Sequence, residues 1–217
     1  ALWSDHHDPY GGWDLDHVLA ELWSLGAVQE IIVVSIETAD RRLDLLGPTP
    51  DPEHGGGSGE DHLAAMVEHL KPQIDRTLRT LPGPRTTALL GSSMGGLFSF
   101  YAAWKRPDVF GAAICLSSSF WWGDRFAIRL AQEGLCPAPR PVLYLDSGAA
   151  RSALEKDQSA QDGQHHTRAM ERALVGHCYE PGDDLHVLTF PGHRHEATSW
   201  AARVAIPLQL VFPRGDG

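Results

Sequence analysis

At residues 87–97 the chain reads Thr87-Ala-Leu-Leu-Gly91-Ser-Ser93-Met-Gly95-Gly-Leu97, and this segment is the strongest indication of the fold. A short apolar run leads into Gly-x-Ser-x-Gly, and residues that favour a helix follow. A strand, a very tight turn and a helix in this order are typical of a nucleophile elbow, which holds a serine hydroxyl clear of the sheet. We expect Gly91 and Gly95 to omit side chains where the backbones would otherwise collide. The helix would aim free N–H groups at a negative oxygen, so Ser93 is predicted to be a nucleophile.

A second segment, near the C-terminus, supplies candidates for the base that a serine nucleophile needs. It reads Leu188-Thr-Phe190-Pro191-Gly-His193-Arg-His195-Glu-Ala-Thr-Ser-Trp200. A strand is predicted to end at Phe190, a Pro-Gly loop then presents two histidines, and a helical run begins at about Glu196. Proteins with this elbow carry the serine, the acid and the histidine in that chain order. A histidine on this loop is therefore the predicted base.

Together these segments resemble the putative esterase family of α/β-hydrolases, which includes enterochelin esterase-like, feruloyl esterase-like, S-formylglutathione hydrolase-like and mycolyltransferase (antigen 85-like) proteins. The resemblance covers nearly the whole chain. It implies a mostly parallel sheet with helices on both faces, and a serine esterase that acts through an acyl-enzyme on Ser93 without a cofactor. Its landmarks are Gly91-Ser-Ser-Met-Gly-Gly-Leu97, Pro107-Asp-Val-Phe-Gly111, Leu116-Ser-Ser-Ser-Phe-Trp-Trp122, Leu143-Tyr-Leu-Asp-Ser-Gly148 and the loop from Pro191 to Trp200.

The resemblance also distinguishes between the two histidines. The family typically places its catalytic histidine five residues before a tryptophan, a spacing that His195 and Trp200 keep and that His193 does not. It therefore implies His195 as the general base and leaves His193 as a polar loop residue. It also implies that the backbone N–H of Met94 contributes to the oxyanion hole.

The acid has several candidates. In the family it often follows the glycine of a Leu-Asp-x-Gly segment within a few residues, but here Gly148 is followed by Ala-Ala-Arg. We rank Asp162 first, because it stands just before the predicted helix 164–175, where many relatives carry an aspartate. Asp157 is second and Asp146 third. The alternatives are that Asp162 only caps that helix and that Asp146 braces the loop.

A substrate pocket is implied at Trp121 and Trp122, since in the family this segment borders the active site; core packing is the alternative. Two rival functions stay open. One is acyl transfer to a sugar, as in the mycolyltransferase-like branch, and the other is a non-catalytic binding module with a hydrolase fold.

Composition and charge are consistent with a single enzyme domain. The chain has 217 residues and a net charge of -10, which argues against nucleic acid or an anionic membrane as a partner. The residues lack a signal peptide and a bilayer-spanning apolar run, so a soluble, cytoplasmic protein with a small-molecule ester substrate is favoured. The oligomeric state is left open.

No metal site is predicted. Three cysteines are too few and too scattered for a zinc site, although a Cys136–Cys178 bridge is left open, and Cys115 is expected to be buried. The acidic and histidine residues in Asp5-His6-His7-Asp8 are adjacent, so they do not easily converge on one ion, and a solvated loop is expected there.

Helices and strands are predicted to alternate along the chain. Helical periodicity covers Asp14–Leu25 and a longer amphipathic segment, Glu60–Thr80, which we expect to kink at Pro72. The continuous β-branched run Glu30–Ile36 suits a strand buried on both faces, and 41–59 suits a loop. Further strands are predicted at 86–90, 112–117, 142–146 and 185–190, and further helices at 94–105, 125–132, 164–175 and 196–205. Short links between alternating elements imply a parallel, doubly wound sheet.

One strand of the family's sheet is absent from these predictions. By resemblance, residues 30–36 form the fourth of eight strands and the elbow strand is the fifth, and the third normally lies between them. We expect that strand before residue 1, together with the second oxyanion donor. Residues 1–217 are therefore predicted to form one α/β-hydrolase domain that lacks its N-terminal strands. Expressed alone, it is expected to leave a vacant strand position and to be poorly soluble or weakly active.

Overall fold

Four parallel strands form one sheet, and their order in space follows the chain. The computed structural model describes residues 12–149 and 161–215. The strands are β1 (Ala88–Ser92), β2 (Ala112–Leu116), β3 (Val142–Gly148) and β4 (Leu185–Phe190). The helices are α1 (Leu15–Ser24), α2 (Arg42–Leu46), α3 (Gly59–Ala65), α4 (Lys71–Thr77), α5 (Met94–Lys105), α6 (Trp122–Glu133), α7 (Gln164–Val175), α8 (Ala197–Ala201) and α9 (Ala205–Val211). A π-helical turn, Met66–Leu70, joins α3 to α4, and 3-10 turns lie at Ala39–Arg41, Pro84–Thr86 and Gln161–Gly163.

Apolar side chains cover both faces of the sheet. In β2, Ala113 and Cys115 belong to one core cluster, whereas Ile114 and Leu116 belong to another, because successive strand residues point to opposite faces. Helices α5, α6 and α7 contribute to the first cluster, and α1 and α9 contribute to the second. Every residue of β2 is buried, as a parallel sheet with helices on both faces requires.

The register of the strands brings their carboxyl ends to one edge of the sheet. Ser92 is paired with Leu116, Leu116 with Asp146, and Gly148 with Phe190. The loops that follow the four strands therefore leave the sheet side by side. In open parallel sheets this edge is where ligands bind, so it is the place to look for a site.

The elbow between β1 and α5 consists of a single residue, Ser93. Its φ of 55° and ψ of -120° lie where residues other than glycine are rarely found. A Cβ at Gly91 would collide with the backbone of Gly95, which explains the first glycine of the motif. The predicted clash at Gly95 itself is wrong, because a Cβ there would meet nothing within 4 Å.

The predicted strand at Glu30–Ile36 is wrong, since no strand is assigned to these residues. In the described part of the chain β1 is an edge strand, and a cleft of about 1710 Å³ lies between it and residues 29–39. A strand is stable only when a neighbour completes its hydrogen bonds, and among residues 12–149 and 161–215 no strand is paired with this run. Its alternate side chains Ile32, Val34 and Ile36 are exposed instead.

Several helix boundaries differ from the predictions. The segment 41–59, expected as a loop, contains α2, and the helix expected at 196–205 is divided into α8 and α9. The expected helix 125–132 belongs to the longer α6, which has positive φ at Gly123, Asp124 and Arg125. The expected kink at Pro72 is a π-helical turn that ends just before it. No helix in the described ranges is long and apolar enough to cross a bilayer.

The two cysteines left open by the sequence form a disulfide, Cys136–Cys178, which joins the loop after α6 to the segment after α7. His177 lies beside these two residues and completes a group of metal-ligand types, but both sulfurs are already bonded to each other. Cys115 is free and buried, and burial raises the pKa of its thiol. The Asp5–Asp8 segment lies outside the described residues.

Candidate active site

The hydroxyl of Ser93 lies at the carboxyl edge of the sheet and is largely buried. Arg42, on α2, donates a hydrogen bond from Nη2 to Ser93 Oγ at 3.1 Å. The hydroxyl of Ser119 lies 3.2 Å from Ser93 Oγ. Arg42 always carries its charge, so a positive group stands beside the predicted nucleophile.

His195 and Asp162 are brought together, although 33 positions separate them in the chain. His195 Nδ1 lies 2.6 Å from Asp162 Oδ1, and the Asp162 side chain is fully buried while a third of His195 is exposed. An ionised carboxylate only accepts hydrogen bonds, so Nδ1 carries the proton and Nε2 is left as an acceptor. His193 Nδ1 instead lies 3.2 Å from the backbone oxygen of Ser199. Asp157 lies outside the described residues.

Asp162 takes two further hydrogen bonds on its other oxygen, Oδ2. The hydroxyl of Ser117 and the backbone N–H of Gly148 both lie 2.6 Å from it. Asp162 has φ 59° in the 3-10 turn before α7, so it does not act as an ordinary helix cap, and Gly163 takes that position. These donors stabilise the charge of a carboxylate that is removed from water.

Asp146, the third candidate acid, is held by other groups. Its Oδ1 accepts from Arg203 Nη2 at 2.9 Å and from the backbone N–H of Ser117 at 3.1 Å, and its Oδ2 accepts from Tyr144 at 3.2 Å. Complete burial raises the pKa of Asp146 to about 6, against the opposing attraction of Arg203. These partners hold Asp146 at the end of β3 and favour the bracing role over that of the acid.

The two predicted pocket tryptophans have different surroundings. Trp122 is fully buried and donates from Nε1 to the backbone oxygen of Thr49 at 2.7 Å, so it packs in the core. Trp121 is 39% exposed, and its ring lies 5.3 Å from that of His54. His54 in turn bonds to Asp51, and this hydrogen bond lowers the pKa of the Asp51 carboxyl to about 2. Trp121, which stands two residues after Ser119, thus forms an exposed pair of rings with His54.

The remaining predicted site residue is Met94, where α5 begins. The N–H groups of the first helical turn have no partner inside the helix and carry partial positive charge, so the Met94 N–H is suited to bind an oxyanion. Sequence reasoning missed three residues: Arg42, Ser117 and Arg203. Arg42 lies in the segment 41–59, for which the sequence predicts only a loop. Ser117 follows β2 directly at the carboxyl edge of the sheet, and this position is a signal that could have indicated a role in the site.

A model of the Putative esterase family matches residues 3–206. The siderophore enterobactin esterase of Emericella nidulans is 29% identical over 158 residues, which are 67% of this chain and 51% of that protein. The ferri-bacillibactin esterase BesA of Bacillus subtilis is 31% identical over 188 residues, which are 78% of this chain and 63% of that protein. This chain therefore spans less than two thirds of the length of either relative.

Solved structures show a similar arrangement of the backbone. The enterobactin esterase FES from Shigella flexneri, in the presence of 2,3-di-hydroxy-N-benzoyl-glycine, aligns with 89% of this chain and 47% of its own, at 19% identity and a TM-score of 0.71. A ferulic acid esterase aligns with 92% of this chain and 77% of its own, at 15% identity and a TM-score of 0.69. With the parallel sheet covered on both faces, these alignments confirm the predicted α/β-hydrolase fold.

Proposed function

Since this chain belongs to the Putative esterase family, we propose that it is a serine carboxylic-ester hydrolase with Ser93 as nucleophile, His195 as general base and Asp162 as acid. The observation that carries the proposal is the 2.6 Å contact between His195 Nδ1 and Asp162 Oδ1. This contact occupies Nδ1, so Nε2 is the nitrogen that would serve as the base, at the same sheet edge as a serine held in a strained elbow.

The proposed reaction proceeds in two halves. His195 Nε2 accepts the proton of Ser93 once the hydroxyl turns toward it, and Oγ attacks the ester carbonyl. The Met94 N–H donates to the oxyanion, while Asp162 stabilises the imidazolium through Nδ1–H. The alcohol leaves with the proton from His195, and an acyl-enzyme remains on Ser93. Water then gives a proton to His195 and attacks the acyl carbon. His195 returns this proton to Ser93 Oγ as the bond between Oγ and the acyl carbon breaks, and the acid is released, so the steps need no cofactor.

We further propose that the substrate is an ester whose acyl part carries an aromatic ring and which as a whole bears negative charge, as an iron-bound catecholate siderophore does. Relatives of this chain are named as esterases of enterobactin and bacillibactin, and a structural neighbour as a ferulic acid esterase. Two features near the nucleophile support this class. Arg42 supplies a cation next to Ser93 Oγ, and the exposed ring of Trp121 offers a flat apolar surface.

A covalent fluorophosphonate probe tests whether the protein is a catalyst. We expect the wild type to be labelled on Ser93, located by peptide mass spectrometry, and Ser93→Ala to be unlabelled but folded, because the hydroxyl makes few contacts. Ser92→Ala, which changes the neighbouring serine in β1, is the matched control and should be labelled. A folded wild type that is neither labelled nor active on any ester would instead be a binding module.

A panel of esters tests the reaction and the acyl group. Enterobactin, ferri-bacillibactin, a feruloyl sugar ester and p-nitrophenyl acetate should be compared, each with and without a free sugar acceptor. We expect release of the acid and faster turnover of the aromatic esters. Transfer of the acyl group to the sugar in preference to water would identify an acyltransferase.

A further inference from the structure

We propose that Ser117 is a positioning residue of the active site, whose hydroxyl holds Asp162 in line with His195. This inference rests on the proposed function, in which Asp162 orients His195. Ser117 follows β2 directly and is buried, and its Oγ lies 2.6 Å from Asp162 Oδ2. Four sets of contacts support the assignment.

The first is the direction of the hydrogen bond from Ser117. Its Oγ receives Nη2–H of Arg203 at 2.5 Å and Nε1–H of Trp200 at 3.0 Å. Neither group can accept a hydrogen bond, so the two donations occupy both lone pairs of the hydroxyl. The hydroxyl proton has one remaining acceptor, Asp162 Oδ2. Ser117 is therefore a fixed donor to the acid and not a hydroxyl that rotates among partners.

The second is the strained backbone of Ser117. Its φ is 44°, in the left-handed region that residues other than glycine rarely adopt. Its N–H is bound to Asp146 on the neighbouring strand, both to the backbone oxygen and to Oδ1, at 3.1 Å each. Strain of this kind persists only where the surroundings enforce it, and it concentrates at functional sites.

The third is the burial of Arg203, which is a permanent cation inside the molecule. Its Nη2 lies 2.9 Å from Asp146 Oδ1 and 3.7 Å from Asp162 Oδ2, and none of these side chains is exposed. Its guanidinium also lies 5.2 Å from the centre of the Phe190 ring. A buried cation is retained only where anions compensate it, and here one of those anions is the predicted acid.

The fourth is a closed circuit of contacts through Trp200. The Trp200 ring meets the His195 ring edge to face, with 5.2 Å between centroids, while its Nε1–H is bound to Ser117. His195 contacts Asp162, Asp162 contacts Ser117, Ser117 contacts Trp200, and Trp200 returns to His195. Each member limits the movement of the next, so the loss of Ser117 should loosen the base as well as the acid.

Adjacent serines provide a matched test. Ser117→Ala removes the hydroxyl, and Ser117→Gly removes it while suiting the positive φ, in case the alanine variant fails to fold. Ser118→Ala is the control, because Ser118 is equally buried but its Oγ has no hydrogen-bond partner among the described residues. We expect the Ser117 variants to lose kcat by roughly ten- to a hundredfold with KM little changed, since one hydrogen bond to an anion is lost. Ser118→Ala should keep kcat.

A proton NMR signal supplies a measurement that does not depend on turnover. The proton between His195 Nδ1 and Asp162 should resonate far downfield because the bond is short, and its loss in His195→Ala assigns it. We expect Ser117→Gly to shift or broaden this signal and Ser118→Ala to leave it unchanged. If the signal moves in a protein that hydrolyses no ester, the positioning role stands and the esterase proposal fails. Folded Ser117 variants with an unmoved signal and wild-type kcat, whatever their melting temperature, would overturn the inference.

Discussion

Two adjacent arginines give a single-residue test of the electrostatics at the nucleophile. Arg42 donates to Ser93 Oγ at 3.1 Å, whereas Arg41 forms an exposed ion pair with Asp44. We expect Arg42→Ala to lower kcat/KM by about tenfold or more, because a charged hydrogen bond beside the reacting oxygen is lost. Arg41→Ala should have little effect, since exposed ion pairs contribute little. Steady-state kinetics on the best ester of the panel measure both, and equal losses would contradict the role of Arg42.

The two loop histidines give a second paired test. His195→Ala should be nearly as damaging as Ser93→Ala, with kcat/KM lower by on the order of 10⁴ or more, whereas His193→Ala should be much milder. The double variant of Ser93 and His195 should be no worse than either single variant, because the residues act as one unit. A larger loss in His193→Ala would show that His195 is the wrong base.

The raised pKa of Asp146 predicts how the free energy of unfolding depends on pH. Burial raises the pKa of this carboxyl from 3.8 to about 6, so the folded state binds its proton more tightly than the unfolded state. Its contribution to the free energy of unfolding is therefore full below the unfolded value and declines as the pH rises through 6. Asp146→Asn should remove this decline. Urea unfolding of both proteins from about pH 4 to pH 7 should show the advantage of wild type over variant shrinking; a constant or growing difference would contradict it.

At the scale of elements, the glycines of the elbow between β1 and α5 are not equivalent. A Cβ at Gly91 would meet the backbone of Gly95, whereas a Cβ at Gly95 would meet open space. We expect Gly91→Ala to lower the free energy of unfolding by about 1–3 kcal/mol, because the strand and helix must separate. Gly95→Ala should be neutral or stabilising by up to about 1 kcal/mol, since alanine is the better helix former. Urea unfolding measures both, and equal destabilisation would contradict this distinction.

The elements that the sequence predicts to the residue are those whose signals are local. Helices α5 and α7 and strand β4 begin and end as expected, since apolar patterning and turn residues mark their ends. The run 30–36 satisfies the same local rules and is nevertheless not a strand. Pairing depends on a neighbour elsewhere in the chain, which β-branched composition does not encode.

The site residues also fall into those with a sequence signal and those whose contacts depend on distant parts of the chain. The motif Gly-x-Ser-x-Gly indicates Ser93, whereas the family resemblance implies His195, through its spacing to Trp200, and Asp162, through its place just before α7. The contact of Arg42 with Ser93 depends on how α2 packs over the elbow, and no motif marks it. The partners of the Ser117 hydroxyl are far from it in the chain. Only the folded structure therefore shows that this hydroxyl accepts two hydrogen bonds and donates one.

At the scale of the whole molecule, a prediction about association follows from β1, which is an edge strand in the part of the chain that the structure describes. An edge strand next to exposed apolar side chains, such as Val34, is a template for pairing with another chain. We expect the 217-residue chain to self-associate as its concentration rises, and Val34→Lys to reduce this. Leu135→Lys is the control, because Leu135 is also exposed but lies on the loop after α6. Light scattering after size exclusion measures the mass; a chain that stays monomeric would contradict the prediction.

The disulfide between Cys136 and Cys178 should cause two regions, the loop that it closes and the strand β1 outside that loop, to unfold at different temperatures. It closes a loop of sequence separation 42 that contains both Asp146 and Asp162, and in the chain-entropy account such a closure is worth about 4 kcal/mol. Ser93 lies outside this loop, directly after β1, and the described residues include no strand paired with the outer side of β1. On heating, β1 should therefore separate from the sheet while the amides of the disulfide-closed loop, which contains Asp162, are still protected from exchange with deuterium. Turnover would then disappear some degrees below the calorimetric transition, and it would return on cooling for as long as the bridge stays oxidised.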